Sequence, residues 1–453
     1  NFAYPSGPMI EVYKSQLADY ELLKRAILTV FNEGTFGELT DDIYREYIGS
    51  SATYSVFAQM QEKGSDLKDA STVAIAFSVD EDFEIRWEDI MAKNFDAGVW
   101  QQKIDTTQGS KKMPVILEAI RQADEEEEHY YRLFFRYLYA YEATFHDDPP
   151  KAMPVAIEFS TIFEQYPDVL GPDGGEMYVM IMQMAIDPIV SLPQIPFEQW
   201  QGMIEQYYKL VKRYNLGHRT YWWQMCQFYV YLDKKKAYEL FERFWKTGRD
   251  SMSDCRTCDR CHAIRMHLLI DDEEGANEMA KPIKSRRMWF CHDTPHLMHR
   301  DYIEYYMNKG NAKAAKPYAY ELKGMGHRDK HDLSYMGAVI RCMTYFEPKI
   351  ALQFLEQGME WVIGIWDCKL AYDFYKSAWV LMHHLSKTQE TISIKMPPNF
   401  ALKNDSDIYN IVDLENYYYD TVKSIADSFD ARNGTDSYNE NFKLAMMEPK
   451  IIE

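Results

Sequence analysis

The residues of this chain best suited to chemistry are three cysteines and a histidine near its middle. They read Cys255-x2-Cys258, followed by Cys291-x4-His296. Thiolate and imidazole ligands at such spacings suit a closed tetrahedral Zn(II) site, and closed sites are more often structural than catalytic. The pattern therefore predicts a structural zinc site. The alternative is that the cysteines are reduced, partly buried thiols.

Three neighbouring residues compete with His296 for the fourth ligand position, namely Cys261, His262 and His292. A catalytic zinc usually has three protein ligands, an open position for water and often a nearby glutamate. No HExxH helix occurs in the sequence. The expected role is thus to hold parts of the protein together.

A second group that could do chemistry is the run from Glu125 to Glu128 followed by His129. It contains a Glu-x-x-His, the spacing used by di-iron carboxylate bundles, which need a second copy of the motif and further glutamates. The sequence has no second copy. The run is therefore predicted to be a solvated acidic helix face.

Known catalytic motifs are missing from the rest of the sequence. It has no glycine-rich phosphate loop, no GxSxG elbow and no kinase-like motif, and only 21 of 453 residues are glycine. The primary expectation is that the protein is not an enzyme, with an enzyme of unknown class as an alternative.

The elements that must position these residues are predicted to be helices. Apolar residues make up 46% and aromatic residues 15% of the chain, whereas Gly and Pro number only 21 and 18. Such a composition favours long helices over a turn-rich sheet. We therefore expect an all-α fold.

The charge and the cysteine content limit the kinds of partner and the cellular environment that we expect for this protein. The formal net charge is −20, which argues against nucleic acid or an anionic membrane surface as a partner. Seven unevenly spaced cysteines fit a reducing cytoplasm better than a disulfide framework. No apolar run reaches the roughly 18 residues of a membrane-spanning helix.

A repeat runs through the middle of the chain. In each copy an acidic or amide residue stands four positions before an alanine, and the alanines are 39, 39 and 36 residues apart. The pairs are Asp233/Ala237, Asp272/Ala276, Asn311/Ala315 and Glu347/Ala351. The first residue of each pair is expected to cap a helix, and the alanine to let a preceding helix pack closely.

Each unit is therefore predicted to be a helical hairpin, and at least six such hairpins are expected to form an α-solenoid. The predicted regions are an irregular helical N-terminal cap at 1–110, the repeat array at 111–386, and a linker, terminal helix and tail at 387–453. Within 1–110, the run STVAIAFSV is the only strand-like stretch, and it could equally be buried helix.

The units resemble the tetratricopeptide-type helical repeat. The segments DCRTC (254–258), CHDTPH (291–296), KGNAKAA (309–315) and FDARNGT (429–435) are similar to those of a bacterial group of tetratricopeptide-like proteins. The resemblance covers roughly residues 215–440 and implies a helical-repeat fold. The strict consensus is not met, because the period exceeds about 34 residues and the Trp-Leu-Gly-Tyr pattern is absent.

The repeat also predicts where the zinc ligands lie relative to the helices. Thr294 is expected to be a helix N-cap with Pro295 in the first helical position, so Cys291 would precede one helix as Cys255 and Cys258 precede another. Adjacent hairpins of a solenoid stack side by side. Zinc would then link one repeat to the next.

Aromatic residues provide a candidate surface for a partner. The chain has 34 tyrosines, and several aromatic residues lie on the first helices of hairpins, which line the concave face of a solenoid. The predicted partner surface is Tyr221, Trp222, Trp223, Tyr302, Tyr305 and Tyr306. The alternative is that these side chains fill the core between hairpins.

These features predict a binding protein. An acidic surface with aromatic anchors would suit a basic protein or peptide, as in an immunity or adaptor protein. A regulator that responds to a bound peptide is the second hypothesis, and an enzyme with a deep polar pocket is the third.

Overall fold

The computed structural model describes residues 95–326 and 329–450, together with four short strands nearer the N-terminus. The strands are β1 (Val12–Tyr13), β2 (Tyr54–Val56), β3 (Thr72–Val73) and β4 (Ile75–Phe77). They pair antiparallel, β1 with β3 and β2 with β4. The run STVAIAFSV therefore contains strands rather than a buried helix, and the rest of the predicted cap before residue 95 lies outside the described residues.

The described part of the chain is built almost entirely of α-helices, which confirms the predicted all-α class. The first seven are α1 (Ala97–Thr106), α2 (Lys112–Glu125), α3 (His129–His146), α4 (Ala152–Gln165), α5 (Gly174–Ile186), α6 (Phe197–Tyr214) and α7 (His218–Tyr229). The next five are α8 (Lys234–Lys246), α9 (Arg256–Leu269), α10 (Glu273–Lys284), α11 (His296–Asn308) and α12 (Ala312–Lys323). The last are α13 (Leu333–Met343), α14 (Pro348–Val362), α15 (Cys368–Leu385), α16 (Ile411–Asn433) and α17 (Ser437–Met446).

The chain folds into two compact units. One comprises residues 1–142 and 161–170, and the other comprises 143–160 and 171–453. In the first unit the guanidinium of Arg136, which is 5% exposed, pairs with the carboxylate of Asp124 at 2.8 Å. The second unit contains the predicted repeats and the cysteine cluster.

Four consecutive helical hairpins form the middle of the second unit, α7/α8, α9/α10, α11/α12 and α13/α14. Three of the predicted N-caps are confirmed. The side chains of Asp233, Asp272 and Asn311 accept hydrogen bonds from backbone amides in the first turn of their helices. Glu347 occupies the N-cap position of α14 but makes no such bond. Proline follows it in the first helical position and is already shaped for a helix start.

The repeated alanines lie at the contacts between helices. Ala237, Ala276, Ala315 and Ala351 are fully buried. First helices also pack on the first helices of following hairpins, α9 on α11, α11 on α13 and α13 on α15. Small side chains let helix axes approach, so the alanine marker has the packing role expected of it.

The C-terminal region is ordered and packs on the same core. β5 (Thr391–Ser393) and β6 (Ile408–Asn410) form an antiparallel pair within the segment predicted as a linker. Residues 437–446, within the region predicted as a tail, form α17, and Tyr438, Phe442 and Ala445 are buried against the core. The prediction of a tail failed because α17 is short and its apolar residues are few, so only tertiary packing reveals its role.

No helix among the described residues is both long enough and apolar enough to cross a lipid bilayer.

Candidate metal centre

Cys255 and Cys258 are positioned by the start of α9. Cys255 is the N-cap residue, with extended backbone angles, and its Sγ accepts a hydrogen bond from the backbone amide of Cys258 at 3.3 Å. Cys258 lies in the first turn. This CxxC geometry points two thiols at one place because the cap and the first turn are adjacent in space.

Cys291 approaches from the segment between α10 and α11. Its backbone amide donates to Oγ1 of Thr294 at 2.9 Å, and Thr294 is only 3% exposed. Thr294 therefore holds the loop that carries Cys291 and is not the helix cap that the sequence predicted. Helix α11 begins at His296, with Pro295 in the N-cap position.

The three thiols converge. Their Sγ atoms all lie within 4.8 Å of one another, and the Sγ atoms of Cys258 and Cys291 are 3.3 Å apart. All three cysteines are free and half-buried. Zn–S bonds of about 2.3 Å place the thiolates of a tetrahedral site less than about 4 Å apart, so small side-chain movements would bring these three onto one ion. Three close cysteines can bind a metal ion.

The hydrogen bond between Cys258 and Cys291 favours one thiolate in this pair. The hydrogen bond from the Cys258 thiol stabilises ionised Cys291 and lowers the pKa of Cys291 to about 5. The same bond raises the pKa of Cys258. Metal ions bind thiolates. The sulfur of Cys291 already favours that form, whereas Cys258 must lose its proton when a metal binds.

The fourth ligand is not assigned by this geometry. Among the described residues, the group within 4.8 Å comprises the three cysteines. His296 is the first residue of α11, with its ring centroid 5.3 Å from that of Tyr335. Cys261 is 1% exposed one turn after Cys258, and the side chain of His292 is 51% exposed beside Asp293. His262, by contrast, contacts the carboxylate of Asp254 at 3.0 Å.

Polar side chains around the cysteines hold the two hairpins in place. Oγ1 of Thr257 donates to the carbonyl of Trp289 at 2.6 Å, which ties α9 to the Cys291 loop. Asp259 is 4% exposed and pairs with Arg219 at 3.0 Å and with Arg249. Neither Thr257 nor Asp259 was predicted from the sequence to support the site. The short separation of Thr257 and Asp259 from the CxxC was the one available signal.

The predicted aromatic surface is largely interior. Trp223, Tyr302 and Tyr305 are buried, at 6%, 0% and 9% exposure. Tyr302 stacks on Tyr318 with ring centroids 4.5 Å apart. Burial excludes these three side chains from direct contact with a partner in this conformation and agrees with the alternative of core packing between hairpins.

The remaining predicted aromatics, Tyr221, Trp222 and Tyr306, are half-buried. Tyr221 and Trp222 form a cluster with Tyr208, with ring centroids 4.4 to 6.4 Å apart. Lys212 lies over the ring of Tyr208, and the guanidinium of Arg243 lies over the ring of Trp222. Among the residues predicted to bind a partner, only the half-buried Tyr221, Trp222 and Tyr306 remain candidates for contact with it.

The acidic run with His129 does not lie on one helix. Helix α2 ends at Glu125 and α3 begins at His129, so the intervening glutamates form a turn. The ring of His129 stacks on Tyr166 with centroids 3.7 Å apart. The run is therefore a connection between helices, and the predicted acidic helix face is wrong.

In comparisons with known proteins, no family model, no curated protein and no solved structure matches this chain.

Proposed function

We propose that this chain is a helical-repeat binding protein of the tetratricopeptide-like solenoid type, with successive repeats linked by a structural Zn(II). The observation that carries the proposal is the position of the cysteines. Two belong to the start of the hairpin α9/α10, and the third precedes the hairpin α11/α12, yet their Sγ atoms converge. A metal held there joins consecutive repeats.

Zinc is the metal that best fits the ligands. Three thiolates with one further ligand form a common structural zinc set, and softer or harder ions prefer other combinations or geometries. The candidates for the fourth ligand are His296, Cys261 and His292, of which His296 begins the helix that follows Cys291. Reduced thiols of this kind suit a cytoplasmic protein.

Metal analysis tests the zinc site. Protein purified without a histidine tag is expected to contain close to one Zn per chain, and Cys258→Ser is expected to lose it. Loss of the site should lower the melting temperature by about 5 °C or more, since each kcal/mol moves the midpoint by about 2–4 °C in a domain of this size. Melting curves with and without chelator provide the measurement.

Cys368→Ser is the matched control, because Cys368 is also half-buried and free but lies outside the cluster. It should keep both the metal and the chelator response. His296→Gln should weaken zinc binding about 10-fold or more if His296 is the fourth ligand. A wild-type protein that is free of zinc and indifferent to chelator would refute the zinc site.

The proposed partner is a basic protein or peptide, as for an immunity or adaptor protein. The support is the net charge of −20, since complementary charge accelerates and strengthens association. Partners captured from the host should be purified and titrated against the chain at low and high salt. A basic partner whose affinity falls with salt is expected, whereas salt-independent affinity would contradict the charge argument.

A further inference from the structure

A cavity in the second unit lies on the side of the hairpins formed by their first helices. Its volume is about 180 Å³. The walls come from α7, α9, α11, the start of α15 and residues 190–191. Three successive hairpins thus contribute to one partly open cavity, which no single hairpin forms alone.

The cavity wall is unusually rich in charged side chains. Arg265 of α9, Arg300 and Asp301 of α11, and Asp367 and Lys369 at the start of α15 all line it. Three cations therefore face two carboxylates. This excess of positive charge occurs within a protein whose net charge is −20.

Most of these charges are already satisfied by neighbours. Arg300 pairs with Asp301 at 2.7 Å, and Lys369 lies 3.6 Å from Asp373. The carboxylate of Asp367 caps α15 by accepting from the backbone amide of Leu370 at 2.8 Å. These bonds hold the wall in a fixed arrangement without a ligand.

Arg265 is the exception. It is half-buried in the cavity wall, and neither an ion pair nor a hydrogen bond joins its guanidinium to the described residues. Burial lowers the pKa of Lys369, and the charges of Arg265 and Arg300 lower it further. A half-buried guanidinium without a partner loses part of its hydration, so an anion in the cavity would offset that loss.

The remaining wall is apolar and aromatic. Trp223 is 6% exposed and stacks on His262 with ring centroids 3.8 Å apart. Leu297 and Leu370 also line the cavity. A cavity of about 150 Å³ accepts a benzene molecule, so this one has room for about six to nine non-hydrogen atoms.

We propose that this cavity binds a small organic monocarboxylate, with its carboxylate on Arg265 and its apolar body against Trp223 and the leucines. Arginine presents paired N–H donors that match a carboxylate. A phosphate dianion would fit the guanidinium equally well, but Asp301 and Asp367 in the same wall would repel its second charge. The carboxylates thus select a single negative charge.

The geometry favours binding rather than catalysis. Asp367 and Lys369, which line the cavity, are each held by another group. This small-molecule site goes beyond the proposed scaffold function. Its carboxylate-binding residue, Arg265, is not among the candidate zinc ligands, and the site does not depend on a protein partner.

Calorimetric titration of the purified full chain tests the proposal. The probes are monocarboxylates from butyrate to benzoate, with inorganic phosphate for comparison. At least one monocarboxylate is expected to bind more tightly than phosphate, and Arg265→Gln should weaken that binding about tenfold or more by removing a charge-assisted hydrogen-bond donor. The unliganded melting temperature of Arg265→Gln should not fall, since Arg265 has no partner to lose.

Arg287→Gln is the matched control, because Arg287 is exposed and outside the cavity wall. It removes the same charge and should leave carboxylate affinity unchanged. The proposal is overturned if no probe binds, if phosphate binds best, or if Arg265→Gln binds as the wild type does. Arg265→Gln should also keep its zinc and its partner binding, so failure here is distinguishable from failure of the scaffold proposal.

Discussion

At the scale of single residues, the protein contains buried and half-buried polar groups whose surroundings set their charge state. The thiols of Cys258 and Cys291 share a hydrogen bond that favours one thiolate. Asp259 is buried between two guanidinium groups, from Arg219 and Arg249. Each of these groups is paired across two different segments of chain, so each fixes a tertiary contact as well as a charge state.

His299 shows the effect of burial on a residue without a strong partner. It is 3% exposed, its Nδ1 has no hydrogen-bond partner, and its Nε2 lies 3.4 Å from the exposed carboxylate of Glu321. The nearby carboxylate would favour a charged ring, but burial dominates and lowers the pKa of His299 to about 4. The folded protein therefore keeps this ring neutral at pH values where the unfolded chain protonates it.

This difference predicts a loss of stability in mild acid. The pKa of His299 rises from about 4 in the folded state to its ordinary 6.5 on unfolding, so the unfolded state binds more protons between these values. Stability from this residue is complete above pH 6.5 and is lost as the pH falls towards 4. Relative to His299→Gln, the wild type should lose about 1.5 kcal/mol between pH 6.5 and pH 5.

Urea unfolding of both proteins across this pH range measures the effect. Titration of carboxylates and thiols affects both proteins alike and cancels in the difference. Parallel pH profiles for wild type and variant would show that His299 is not held neutral by burial.

At the scale of helices and hairpins, the local rules of capping and periodicity are followed closely. Asp233, Asp272 and Asn311 cap their helices through side-chain oxygens, and each cap stands four residues before a buried alanine. These relations span a single helical turn and can be recognised in the sequence. The loop before α11 differs, because Oγ1 of Thr294 accepts a hydrogen bond from the backbone amide of Cys291 and does not cap the helix.

Helix α17 illustrates an element whose role depends on its neighbours. Asp430 of α16 accepts hydrogen bonds from the backbone amides of Tyr438 and Asn439 at 2.9 Å. The ring of Tyr438 is fully buried between Phe429 and Tyr231, with centroids 4.3 and 4.2 Å away. The helix thereby closes one side of the core of the second unit.

Two substitutions at Tyr438 separate ring packing from hydroxyl chemistry. Tyr438→Ala should reduce the free energy of unfolding by about 3–5 kcal/mol, because it leaves a cavity among the rings of Phe429, Tyr231 and Tyr372. Tyr438→Phe should be neutral or slightly stabilising, since the Tyr438 hydroxyl is buried without a hydrogen-bond partner. Chemical denaturation measures both.

If Tyr438→Ala lowers the free energy of unfolding by less than about 1 kcal/mol, then α17 is not docked on the core in solution. In that case the chain after residue 435 would behave as the tail predicted from sequence, and the burial of Tyr438 would not describe the stable fold.

At the scale of the molecule, charge is distributed unevenly. The net charge is −20, yet the cavity between the first helices carries Arg265, Arg300 and Lys369. A basic partner would be attracted by the overall field, whereas a small anion would be stabilised inside by nearby cations. The two proposals therefore use different parts of the charge distribution and do not exclude one another.

The sequence by itself determined the helical class, the spacing of the hairpins, three of the helix caps and the three cysteines that meet. Each of these depends on residue types within one or two helical turns, or on ligand chemistry with few alternatives. The tertiary structure alone decided that Trp223, Tyr302 and Tyr305 are core residues, that α17 is docked, and that charged residues of α9, α11 and the start of α15 line one cavity. Those outcomes depend on which faces of different helices meet, and a one-dimensional pattern does not encode that geometry directly.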